Sequence, residues 1–332
     1  MKIDKIDIKE NKLFEIDNII FNILLKDNTT GKNIIWATDI YEKKGASYKF
    51  NNQIFDYLIT GNNGELIKPR VKKTKEEQEN RIRNKAEVFT PSWMCNLQNN
   101  VIDAAWFGRE NVFNIAEETT WNTIEEIIVF PEGKNWEDYI TDIRMEVSCG
   151  EAPYLVSRYD TVTGDIISVK NRIGLLDRKL RIISENIDSE EEWIEWCIKA
   201  YKSVYGYEWQ GDNLFLAREN LLYTFIDYYY DKFNKIPSID IQREIATIIS
   251  WNIWQMDGIK YVIPCSCKNE EPKYAQINLF GEEEVTKVEC LGCKKDNYRR
   301  HNGTYSKIMN WNTNRSKMFY KIVEEGSRNG RK

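Results

Sequence analysis

Two pairs of cysteines near the carboxyl end are the residues whose type and spacing most directly imply chemistry. Cys265 and Cys267 stand in "IPCSCKN", and Cys290 and Cys293 in "VECLGCKK". Each pair is held in a short turn, and Gly292 frees the backbone of the second. Four thiolates from two such turns can close a tetrahedron around zinc. The first pair is tighter than the usual Cys-x-x-Cys, which makes His301, the one histidine of the chain, a substitute ligand. A closed four-ligand site staples a loop and leaves no open coordination position, so this zinc is expected to be structural. The alternative is two unrelated pairs of free thiols.

A second stretch, "MEVSCGEAPYLVSRYD" (145–160), reads as a strand that breaks at Ser148-Cys149-Gly150, passes Pro153 and resumes as a new apolar element. Strand, tight turn and new element outline a cofactor-binding loop. In nucleoside-binding α/β domains an acidic residue at the end of the next strand accepts hydrogen bonds from ribose hydroxyls. Glu208, closing "VYGYE", has that position. The plain alternative is an exposed glutamate after an ordinary strand.

The elements that must position these groups alternate strand and helix from about residue 85 to 262. "PSWMCNLQNNVIDAAWFG" is apolar at helical spacing and stops at Gly108. "NRIGLLDRKLRIISEN" and "SEEEWIEWCIKAYKSV" read as helices, the second with an N-cap at Asp188-Ser189 and acidic residues in its first turn. A long helix follows Glu208, and "SIDIQREIATIISWNIWQMDG" reads as a helix leading into a strand-like "TIISWNIW". This alternation predicts an α/β domain with a mainly parallel sheet. Residues 1–84 read as a small separate α+β unit in which "NIIFNILLK" and "KNIIWATDIY" are strands, followed by a helix in "KKTKEEQENRIRNKAEVF". Residues 263–332 form the cysteine segment and a basic tail.

Composition narrows the function classes. With 332 residues, 42% hydrophobic and 13% aromatic, the chain can bury a sizeable core. No apolar run approaches the roughly 18–20 residues of a membrane span, and "MKIDKIDIKENK" has no signal-peptide apolar region, so a cytoplasmic protein is expected. The net charge of −5 gives no global basic field, although 68–85 and 294–307 are locally basic. There is no Gly-x-x-x-x-Gly-Lys-Ser/Thr loop, and a single histidine in a polar tail argues against a Ser-His-Asp site.

"AEVFTPSWM", "MEVSCGEAPYL" and "YGYEWQGDNLFLARENLL", in that order, resemble the amino-terminal part of the adenine-specific (N6) DNA methyltransferases and modification subunits of restriction–modification systems. The resemblance spans roughly 85–262. It implies a Rossmann-like S-adenosylmethionine-dependent methyltransferase domain with an N-terminal extension and a C-terminal zinc-binding segment. It carries the contact with the methionine end of the cofactor onto Phe89, Thr90 and Pro91. The family's Asp-Pro-x-Cys-Gly-x-Gly stands here as Glu146-Val147-Ser148-Cys149-Gly150-Glu151-Ala152, with Glu146, Cys149 and Gly150 kept and Ala152 in place of the second glycine. Glu208 matches the ribose-binding acid. Asn252 is implied near the adenine ring, with Asp257 as a second candidate.

One departure limits what the resemblance implies. The family holds its target base with Asn/Asp-Pro-Pro-Tyr/Phe, and this chain has seven prolines and no Pro-Pro pair. The leading expectation is a cofactor-binding protein that acts on DNA with a partner chain supplying the catalytic and target-recognition parts. The alternative is a methyltransferase-like scaffold that binds nucleic acid or protein without catalysis. The basic stretches and 11 tryptophans, which can stack on bases, support the latter.

Overall fold

The computed structural model describes residues 10–85, 87–268, 276–277, 283–284 and 289–329. Parts of the expected amino-terminal unit and of the cysteine segment therefore lie outside the described residues.

Of the two strands expected in the amino-terminal region, the first is a helix, and the second is an extended segment with isolated bridges. After α1 (Glu10–Ile16), Asp17 caps α2 (Asn18–Leu25) by accepting the N–H groups of Ile19 and Ile20 at 2.7 and 2.9 Å. "NIIFNILL" thus takes helical periodicity, and its Phe21 and Leu24 are fully buried. Two bridges, Lys26↔Asn33 and Ile35↔Gln53, are all the β pairing this region shows among the described residues. A single helical turn, α3 (Asp56–Ile59), and α4 (Lys75–Lys85) complete it. The expected boundary at 84/85 does not separate two cores. Phe21 packs on Phe215 with ring centroids 5.4 Å apart. The buried guanidinium of Arg218 donates to the carbonyls of Leu24, Lys26, Ser250 and Ile253.

α5 (Ser92–Phe107) runs to Gly108, which ends it in the left-handed conformation (φ 69°), as the sequence predicts. A short hairpin of β1 (Asn114–Ala116) and β2 (Trp121–Thr123) and the helix α6 (Trp136–Thr141) lead into the central sheet. That sheet is parallel, with β3 (Arg144–Glu146), β4 (Val204–Glu208) and β5 (Ile253–Gln255) in spatial order β3-β4-β5. The β3–β4 crossover carries α7 (Leu175–Asn186) and α8 (Glu190–Lys202). The β4–β5 crossover carries α9 (Gly211–Phe233) and α10 (Ile239–Asn252). The apolar run "TIISW" belongs to α10, so β5 is shorter than the sequence suggested.

Side-chain alternation divides the sheet between two clusters. Val204 and Ile253 enter the main core with α7–α10. Tyr207 and Trp254, from the opposite face, pack on Ile308 and Phe319. The latter come from the hairpin β8 (Lys307–Asn310) and β9 (Arg315–Met318) and from α12 (Phe319–Asn329). Between β5 and that hairpin lie the small pair β6 (Gln276–Ile277) and β7 (Glu283–Glu284) and the one-turn α11 (Leu291–Lys294). Among the described residues, no helix is long and apolar enough to cross a membrane.

Candidate functional site

The carboxyl ends of β3 and β4 open into a cavity of about 800 Å³. Its floor is the turn after β3, where Ser148, Gly150 and Ala152 all adopt positive φ (51°, 53° and 63°). Glu208, the last residue of β4, holds this turn. Its Oε2 accepts the Gly150 N–H at 2.8 Å and its Oε1 accepts the Gln210 N–H at 3.0 Å. Cys149 is buried beneath the turn and donates its N–H to Tyr207 O, continuing the β3–β4 ladder beyond the strand. The Phe89 ring lies above, since a Cβ built on Gly150 would sit 3.8 Å from its Cε1, and Arg70 covers that ring at 5.3 Å.

The cleft therefore gathers Phe89, Thr90, Glu146, Cys149, Gly150 and Glu208 from three separate stretches of the chain. Three residues expected there lie elsewhere. Pro91 precedes α5, and its carbonyl accepts the N–H groups of Met94 and Cys95. Asn252 precedes β5, at the end of the sheet opposite the cleft. Its amide donates to Tyr201 O and Val204 O at 2.9 and 3.0 Å and accepts from Trp311 Nε1 at 2.9 Å. Both its N–H groups and its carbonyl are engaged, joining α8, β4 and the C-terminal hairpin. Asp257 follows β5 and is tied into its own turn by the N–H groups of Ile259 and Lys260.

Other cleft residues were not singled out from the sequence. Ala37, Thr38, Asp39 and Phe50 supply one wall because the amino-terminal region folds onto the sheet. Glu87, two residues before Phe89, is buried and accepts from Arg81, Gln210 and Asn213. Trp209, beside Glu208, fixes its indole by donating to Ala37 O at 3.0 Å.

The cleft is rich in carboxylates. Burial pushes the Glu146 carboxyl well up, and the nearby charge of Glu208 adds to the effect against N–H donors at Tyr154 and Leu155. Burial also raises Glu208, partly offset by the N–H groups of Gln210, Gly150 and Trp209. A cationic ligand would relieve both.

Beside this cleft, Cys267, Cys290, Cys293 and His301 converge, with their ligand atoms all within 4.8 Å of one another. The distances from His301 Nδ1 to the three sulfurs are 3.5, 3.8 and 3.6 Å. Zn–S and Zn–N bonds of about 2.3 and 2.1 Å at a tetrahedral angle place sulfur and nitrogen about 3.6 Å apart, so the donor set fits a metal ion of that size. Burial opposes ionisation of Cys290, but N–H groups of Asn302, Cys293 and Gly292 and the His301 ring pull it down to about 6. Cys267 is pushed up to about 12 by burial and by the neighbouring sulfurs. Gly292 is required by close approach: a Cβ there would lie 2.5 Å from both the N and Nδ1 of His301.

Cys265 is not part of this cluster. It is exposed, adopts φ 61°, and with Trp209 lines both the cleft and a smaller cavity of about 280 Å³ against the cluster. The histidine, weighed from the sequence as a substitute, takes the fourth position. No family model, curated protein or solved structure matches this chain.

Proposed function

We propose that the chain binds S-adenosylmethionine in the cleft on a Rossmann-like fold. In this reading it serves DNA adenine-N6 methylation in a restriction–modification or related defence system, with a partner chain holding the target base. The observation that carries it is the convergence of Phe89-Thr90, Glu146 to Gly150 and Glu208 at the carboxyl ends of adjacent parallel strands. That is where open α/β sheets take their ligands. The carboxylate-rich cleft adds support, because the cofactor carries an ammonium and a sulfonium against one carboxylate.

In this reading Glu208 accepts the ribose hydroxyls while keeping the Gly150 turn in place, and Trp209 offers its indole face to the adenine. Phe89 and Thr90 border the methionine end. The bound cofactor supplies an electrophilic methyl group. This chain's residues supply orientation and exclusion of water. Zinc at Cys267, Cys290, Cys293 and His301 is structural, since four protein donors leave no position for substrate.

Calorimetric titration with S-adenosylmethionine, using Glu208→Ala as control, tests the reading. Micromolar binding that the substitution abolishes supports it. A folded, zinc-loaded protein that binds no cofactor overturns it and leaves the scaffold reading, which the lack of an Asn-Pro-Pro-Tyr segment favours.

A further inference from the structure

A second cavity, of about 370 Å³, opens in the amino-terminal region. Four basic side chains, Lys44, Lys68, Lys73 and Arg81, and two carboxylates, Glu65 and Glu77, line it. Its volume is that of a small-molecule pocket. Three of the four cations come from the locally basic stretch 68–85, of which the cofactor cleft makes no use.

Lys73 is the group that points to a ligand. It is 8% exposed, and its Nζ is buried with no hydrogen-bond partner. Arg144, Arg172 and Arg178 also have an unbonded nitrogen, but each pairs with a carboxylate through another. An ammonium has three donors and no acceptor, and taking it out of water without a partner is costly. Burial accordingly holds this amine below its usual pKa. The backbone fixes the residue in place: Lys73 N–H donates to Arg70 O at 3.0 Å, and its carbonyl accepts from Gln78 Nε2 at 2.9 Å.

The surrounding carboxylates do not supply the missing partner. Asp212 and Glu87 are bonded to Arg81. Glu151 accepts the Arg70 N–H at 2.6 Å and the Tyr159 hydroxyl at 2.7 Å. Glu77 caps α4, its Oε2 accepting the Thr74 N–H at 2.7 Å while Thr74 Oγ1 accepts the Glu77 N–H at 3.2 Å. Glu65 is exposed. Arg81 is spent on its own partners, so the donors left to a ligand are the three lysines. Their amines are point charges without a bidentate fork, which suits the oxygens of a phosphate better than a planar carboxylate. Ile40, Tyr41 and Leu66 add an apolar wall.

We infer that this cavity is a phosphate site, in which Lys44, Lys68 and Lys73 hold a phosphate dianion, free or as the monoester of a small organic group. The inference does not depend on what the cleft binds.

Calorimetric titration of the full chain with inorganic phosphate at constant ionic strength tests it. Phosphate should bind with a Kd below about 1 mM, and Lys73→Met should weaken that binding at least about tenfold. Methionine fills the same space without a charge, so the variant should keep its circular dichroism. If it misfolds, Lys44→Gln combined with Lys68→Gln, at an exposed and a half-buried position, carries the test. That pair should weaken binding by a similar factor, whereas Lys43→Gln, exposed and outside the cavity, should not. Phenyl phosphate distinguishes the source: tighter binding than inorganic phosphate identifies a monoester, and equal binding identifies free phosphate. Binding of neither, or binding that neither Lys73→Met nor the lysine pair weakens, overturns the inference.

Discussion

The carboxylate of Glu208 accepts the backbone N–H of Gly150 at 2.8 Å, so the end of one strand fixes the turn that follows its neighbour. Fifty-eight residues separate the two in sequence. Both carboxylate oxygens are engaged, the second with Gln210 N–H, and the turn carries three positive-φ residues that need such a tie.

Replacing Glu208 by Ala should therefore lower stability as well as affinity. Two bonds to the N–H groups of Gly150 and Gln210 are lost, each worth up to about 1.5–3 kcal/mol if the carboxylate is charged. Glu208→Gln keeps one acceptor and should lose less than half of that. Urea unfolding of both variants measures it. Equal stabilities would mean that the turn stands without the tie.

The metal cluster gives a sharper test. Gly292→Ala drives a methyl group into the His301 backbone and ring, so the variant should fail to hold zinc if the cluster is its site, as should Cys293→Ser. Cys265→Ser should keep it. Metal content of the purified proteins decides this. Chelation of the wild type should lower its melting temperature, because metal binding to the native state adds to folding stability. Retention of metal by Gly292→Ala would place the ion elsewhere.

Stability should fall as pH rises above the ordinary carboxyl range. Glu146 is held well above its usual value by burial, then by Glu208. An acid with a raised folded-state pKa keeps its proton in the native state. Its contribution is complete below the unfolded value, near 4.5, and is lost as pH rises through the folded one. Glu146→Gln should flatten the decline in melting temperature from mildly acid to alkaline solution. Parallel declines would mean that Glu146 ionises without penalty.

Much of this site was legible in the sequence. The glycine turn and the acidic strand end meet because strand and helix alternation fixes which ends of parallel strands are adjacent, and Phe89 and Thr90 join them. The failures have physical causes. Asn252 was assigned by motif order, yet it precedes β5, and chain direction in a parallel sheet puts it at the far end. Cys265 sits two residues from a cluster ligand, but its left-handed backbone turns it away while His301 comes in from 34 residues beyond Cys267. "NIIFNILL" is too short for its apolar run to distinguish strand from helix. The available signal was Asp17, a cap at its start. The cleft wall at Ala37–Phe50 was hidden because nothing local in the sequence says that the amino-terminal region shares the core.

That shared wall rests on a buried charge network whose removal should be costly. Arg81 bonds Glu87 Oε2 at 2.8 Å, Tyr41 Oη at 2.9 Å and Asp212 Oδ2, all buried, so one guanidinium compensates carboxylates from the cleft and from α9. Arg81→Met leaves both carboxylates without it, and breaking a buried pair from one side costs about 3–5 kcal/mol. Lys73 moderates the loss. Its amine is buried without a hydrogen-bond partner and held below its usual pKa by burial and then by Arg81, against the pull of Asp212, Glu151 and Glu87. Without Arg81 its amine is the nearest remaining basic group to those carboxylates and can offset their charge in part. The single substitution should then fall at the lower end of that range. Arg81→Met combined with Lys73→Met should cost more than the sum of the two alone. A double-mutant cycle by denaturant unfolding reads the coupling directly, and strict additivity would show that Lys73 plays no part in balancing the network.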